Sequence, residues 1–122
     1  MSHIVKCSVA MTNIGCLEKA ITHLGLTSLG RGTHKLFGSR ATGLGFKLPA
    51  WHHPVVVDTE KGEAVYDNYG GNWGKQIELD KLVQRYSAEV AQEQALASGY
   101  TYEEQILENG DIEAVMTQLV SV

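Results

Sequence analysis

Two stretches of the chain carry the 3.6-residue apolar repeat of a helix, and the segments around them read as antiparallel pairs. That combination narrows the fold more than any single motif. In the longer stretch, about Glu78 to Ser98, Leu79, Leu82 with Val83, Tyr86 and Val90 form an apolar stripe. Ala91, Ala95 and Ala97 favour helical backbone there, and Gly99 ends it. In the shorter, Leu17, Ile21 and Leu24 recur after Ile14 at helical spacing, opposite Glu18, Lys19 and Thr22. Thr12 or Asn13 is placed to cap this helix, because a short oxygen-bearing side chain accepts from the orphan N–H groups of a first turn. Gly25 is placed to close it.

The strands are signalled more weakly. His3 to Met11 alternates loosely and reads as a first strand. "VVVD" (Val55 to Asp58), the turn "TEKG" and "EAVYD" (Glu63 to Asp67) make a hairpin, followed by the loop "NYGGNWG" (Asn68 to Gly74). "YTYEEQIL" and "DIEAVMTQLV" flank Asn109-Gly110, the strongest short-range hairpin signal in the sequence. The order predicts an α+β fold: a ferredoxin-like, mostly antiparallel sheet with two helices on one face, plus a C-terminal hairpin. With 122 residues the chain is expected to form a single domain over 1–122. Helices on one face leave the other to be covered by water, a ligand or a second subunit.

Residues 26–54 fit this frame least. Six glycines lie between Gly25 and Gly45, too many for a stable helix, and only His34 to Phe37 and Leu44 to Leu48 suggest short strands. The expectation is an irregular, basic, Gly-rich arm or insertion, or an edge hairpin. Its charge is one-sided: from Lys19 to Val57 there are five Lys/Arg and no acid, +5, whereas residues 58–122 sum to −9 and residues 1–18 to zero. An asymmetry of this size speaks about partners rather than fold.

Composition bounds the rest. An apolar content of 43% with two prolines excludes a disordered or collagenous chain. No apolar run approaches the roughly 18 residues that span a bilayer, and "MSHIVKCSVAMT" lacks the order of a signal peptide, so a cytoplasmic protein is expected. In that compartment Cys7 and Cys16 are expected to stay reduced, as small buried hydrophobes.

Several short motifs coincide with one family. The opening "MSH", the helix ending in Leu24-Gly25, "YDNYGGNWG", "QRY" at Gln84 to Tyr86 and the tail "SGYTYEEQILENGDIEAVMTQLV" resemble a small domain of unknown function. That family is known as a hypothetical open reading frame in algal plastids and cyanobacteria, and also occurs in other bacteria and in tailed phages. The resemblance covers residues 1–25 and 63–120, leaves 26–54 unaligned and implies no agreed activity. For a phage-encoded chain the expected compartment is the host cytoplasm.

Candidate site residues follow from chemistry. Arg31, Lys35 and Arg40, set among glycines that let backbone N–H groups approach an oxyanion, can hold a phosphate. The GxxxxGK[ST] order of a P-loop is absent, and a pI near 5.7 argues against nucleic acid. Tyr69 and Trp73, between a strand end and a helix start, can stack on a planar ligand; the alternative is a structural turn. Adjacent His52 and His53 in an extended segment would point to opposite faces, so no metal site is expected, nor any cofactor. Arg85 reads as a helix-surface cation and Tyr86 as a core aromatic. No catalytic residue is assigned, since neither a GxSxG elbow nor a spaced nucleophile–base pair is present. The expected function is a non-catalytic binding or assembly module acting as a homo-oligomer or on a protein partner. The alternatives are a nucleotide-binding protein that sequesters a small phosphorylated metabolite or signal, and an enzyme with an unrecognised active site. No membrane contact is expected.

Overall fold

The computed structural model describes residues 5–7 and 10–119. Asn13, in extended backbone, turns its side-chain oxygen onto the Cys16 N–H at 3.0 Å and starts α1 (Ile14–His23). Cys16, Leu17, Ala20 and Ile21 form the buried stripe of α1. Leu24, expected to extend that stripe, is 37% exposed, because it already sits at the cap where the chain turns away toward Gly25. α2 (Gln76–Ala97) begins two residues before the expected start and buries Leu79, Leu82 and Tyr86. The Tyr86 hydroxyl accepts from the Asn13 N–H at 3.1 Å, tying the two helices together.

Five strands make one sheet: β1 (Val5–Cys7), β2 (Thr27–Lys35), β3 (Arg40–Lys47), β4 (Val55–Asp58) and β5 (Glu63–Tyr66). Their spatial order is β1-β5-β4-β3-β2, and every neighbouring pair is antiparallel. Strand alternation puts Leu44, Phe46, Val55, Val57, Ala64 and Tyr66 on one face. These pack with Leu17, Ala20 and Ile21 of α1 and Leu79, Leu82 and Tyr86 of α2 in one core, so both helices lie on that face. Met11, expected at the end of the first strand, lies outside any strand and is fully buried, its N–H on the Gly62 carbonyl at 2.9 Å. Expectations for residues 1–4, 8 and 9, and for the Cys7 side chain, fall outside the described residues.

The strand order departs from a ferredoxin-like one, in which a second helix would join strands of the same sheet. β2 to β5 follow one another as a meander, since connections as short as Asp58 to Glu63 can only return antiparallel. α2 leaves that finished sheet and leads to β6 (Tyr100–Ile106) and β7 (Ile112–Gln118), which form a separate two-stranded sheet. The C-terminal hairpin therefore does not enlarge the main sheet.

Residues 26–54, expected as an irregular arm or an edge hairpin, are built on the hairpin. β2 and β3 pair from Thr27 with Lys47 to Lys35 with Arg40, with a bulge between Ser28 and Gly30. Glycine is required here by close approach: a Cβ on Gly43 would lie 2.2 Å from the Val57 carbonyl oxygen. The same hairpin covers part of the sheet face away from the helices. Gly45 and its partner Val56 share that face, and the His34 ring lies so close to Gly45 that a Cβ there would be 2.6 Å from Nε2. Val56 is buried accordingly.

Candidate functional site: an aromatic cluster under a basic hairpin

Two loops are laced together beside the sheet. Trp51 is buried and its Nε1 donates to the Lys75 carbonyl at 3.1 Å, while Gly74 leaves no room for a side chain, a Cβ lying 2.4 Å from the Trp51 ring. The His52 N–H donates to the Trp73 carbonyl at 2.9 Å. Within "NYGGNWG" the Asn68 carbonyl accepts from Gly71 at 3.0 Å and from Trp73 at 2.9 Å. The buried Asp67 carboxylate accepts from the Tyr69 N–H at 3.2 Å. These bonds hold Tyr69 at φ +48°, a left-handed conformation that costs a residue with a Cβ roughly 1–2 kcal/mol. Such strain persists only where surrounding contacts over-determine it.

The result is a ring cluster centred on Trp73. Tyr69 stacks on it at 4.8 Å between centroids and His52 at 6.0 Å, His53 meets it edge-on at 5.4 Å, and Phe37 is tilted at 5.0 Å. The expectation that His52 and His53 diverge is corrected, because it applies to a strand and this segment is a bend: both rings reach Trp73. Among the described residues no group of three or more His, Cys, Asp or Glu is arranged to hold a metal ion.

Phe37 was not singled out in the sequence, yet it joins the loops to the hairpin. It sits in the turn between Lys35 and Arg40, is 51% exposed and also touches His53 at 6.0 Å. The available signal was its place as the lone aromatic among the basic residues of that stretch. Lys35, Leu36, Phe37, Gly38 and His53 line a shallow cleft of about 550 Å³.

The five expected site residues thus fall into three places. Tyr69 and Trp73 stack together, and Lys35 and Arg40 are direct cross-strand partners at the hairpin end. Arg31 lies apart, lining a groove with Glu18 and Thr22 of α1. All three cations are exposed, and none has a carboxylate within ion-pair distance among the described residues. Like charges facing each other across strands repel, so the hairpin end holds Lys35 and Arg40 at a small electrostatic cost that an external anion would relieve.

Shifted titrations lie elsewhere in the molecule. Burial pushes the Cys16 thiol up to about 11, helped by its hydrogen bond to Glu93 at 2.9 Å. Burial likewise pushes the Tyr102 phenol up to about 12, helped by its bond to Glu104. Both shifts keep the group protonated, the reverse of what activates a nucleophile. No helix among the described residues is long and apolar enough to cross a membrane. No protein-family model, no curated protein and no solved structure matches this chain, so what the site does rests on its own geometry.

Proposed function

We propose that the protein works by binding rather than catalysis, as an assembly module in which the basic hairpin of one copy meets acidic surface on another. The observation that carries this reading is the separation of charge onto two unpaired surfaces. Arg31, Lys35 and Arg40 stand exposed on β2 and β3 with no carboxylate partner among the described residues, while Glu103, Glu108, Asp111 and Glu113 are exposed on or beside the β6–β7 sheet. Complementary surfaces of this kind set register and speed association. The reading includes the cytoplasm as the place of action, the host's if the chain is phage-encoded. It also includes membership of the plastid, cyanobacterial and phage family that residues 1–25 and 63–120 resemble. Light scattering across protein concentration at low and high salt tests it: the mean mass should exceed that of one chain and fall as salt screens the contact. A monomer under every condition overturns it.

A second reading is favoured by the half-exposed Phe37 ring beside Lys35 and His53, a pairing of aromatic surface and cation that suits a nucleotide. In it Lys35 and Arg40 hold phosphate and the base meets the Phe37–Trp73–Tyr69 cluster; Arg31 is too separately placed to share that ligand. A ligand that binds only the folded state raises the melting temperature by mass action. No shift with mono-, di- or cyclic nucleotides, compared with a Lys35→Ala/Arg40→Ala variant, removes this reading.

A further inference from the structure

Between α2 and the turn of the C-terminal hairpin runs a groove of about 470 Å³ whose walls include Ile77, Val83, Asp80, Asp111 and Lys81. We infer that this groove receives the β2–β3 hairpin end, Lys35 to Arg40, of a second copy of the chain. Phe37 then seats on Ile77 and Val83, and Lys35 and Arg40 face Asp80 and Asp111. The inference rests on the assembly reading above and gives it a receptor.

The two surfaces complement each other in apolar and ionic character alike. Phe37 and Ile77 are 51% and 57% exposed, so each presents a large apolar side chain to solvent, one between two cations and the other beside two carboxylates. Among the described residues the groove carboxylates accept from neutral amides: Asp80 from Gln76 at 3.2 Å, Asp111 from Gln84 at 3.4 Å and from Asn109 at 2.9 Å. The one cation in the wall, Lys81, is drawn to Glu78 at 3.6 Å. Among the described residues, two carboxylates without a cation thus match two cations without a carboxylate.

The hairpin end is presented as an ordered tip. β4 pairs with β3 only from Leu44 to Phe46, so from Gly32 to Gly43 the strands β2 and β3 pair with each other, in a ribbon that bends back until His34 Nε2 lies 2.9 Å from the Gly30 carbonyl oxygen. Phe37 is braced from behind by Trp73 and His53, and a pre-ordered tip loses less conformational freedom on binding. Because the donor and receptor are different surfaces, the contact is heterologous and propagates from copy to copy until it closes on itself or runs on as a filament.

Reciprocal charge reversal tests this. Lys35→Glu with Arg40→Glu reverses the tip, and Asp80→Lys with Asp111→Lys reverses the groove. Each reversed protein alone should associate at least tenfold more weakly than the parent by light scattering. Mixed in equal amounts they should assemble again, since each tip then faces an opposite groove. Asp80→Lys alone, which leaves the Asn109–Asp111 turn intact, should weaken assembly in the same direction, and circular dichroism checks that each variant is folded. If the parent assembles while the groove variants assemble equally well, or if mixing restores nothing, the groove assignment is overturned and the assembly reading stands. A monomeric parent overturns both.

Discussion

Arg85 and Glu104 face one another as a bidentate pair, Nη1 on Oε2 at 2.9 Å and Nη2 on Oε1, with the guanidinium only 3% exposed. Arg85 thereby departs from the surface cation expected of it, because the C-terminal hairpin lies over that part of α2. A two-stranded sheet alone is marginal in water, and among the described residues β6 and β7 pair only with each other. Tyr102 closes the contact, its hydroxyl 2.7 Å from the same carboxylate, and Glu89 brings a second negative charge within 3.3 Å of the Arg85 Nε.

Removing the carboxylate should therefore cost more than removing the cation. Glu104→Gln leaves a buried guanidinium with weakened compensation and should destabilise by about 2–3 kcal/mol, less than breaking a fully buried pair usually costs, because Glu104 keeps some water. Arg85→Met leaves a carboxylate that can hydrate and should cost less. Urea denaturation of both variants decides the order; equal or reversed losses contradict this account.

The same pair sets a pH response at each end. Arg85 holds the Glu104 carboxyl below its ordinary 4.5, so the contribution of the pair is complete above that value and is lost as pH falls through the lower folded value. The raised Tyr102 phenol works oppositely: its contribution is complete below 10 and is lost as pH climbs toward about 12. Stability to urea should fall at both limits, and Glu104→Gln should remove the acid limb.

Cys16 should be nearly inert. With its thiol raised from 9.0 to about 11 by burial and by Glu93, the folded protein carries about a hundredfold less thiolate near pH 8 than a free cysteine. Iodoacetamide labelling followed by peptide mass spectrometry should find the Cys16 peptide unmodified until denaturant is added.

Gly43→Ala and Gly70→Ala should differ sharply. The first drives a Cβ into the Val57 backbone, which cannot yield without breaking the β3–β4 pair, and should abolish cooperative folding or cost more than about 3 kcal/mol. The second meets open space at φ +62° and should cost only about 1 kcal/mol of backbone strain. Thermal melts of the two variants measure the contrast.

Much of this architecture was legible where the physics is local. The Asn13 cap, the apolar stripes of both helices apart from Leu24, the hairpin from Val55 to Tyr66 and the turn at Asn109-Gly110 depend on groups only a few residues apart, and they stand where the sequence places them. In the stretch 26–54 the edge hairpin, one of the two readings the sequence left open, is the one that forms. Its glycines read as looseness, whereas Gly43 is needed because a neighbouring backbone passes too close for any side chain.

The candidate site was legible only in parts. Tyr69 and Trp73 were visible as aromatics in one loop, and Lys35 and Arg40 as cations in another. Nothing local announced that Phe37, His52 and His53 converge on Trp73.

Sequence by itself determined the two helices, the β4–β5 and β6–β7 hairpins and the segregation of charge, since capping, apolar period and turn geometry act over a few residues. Only the tertiary structure decided the order β1-β5-β4-β3-β2, the burial of Arg85 and the gathering of rings around Trp73. Those depend on which distant surfaces exclude water from one another, a property of the packed chain and not of any window along it.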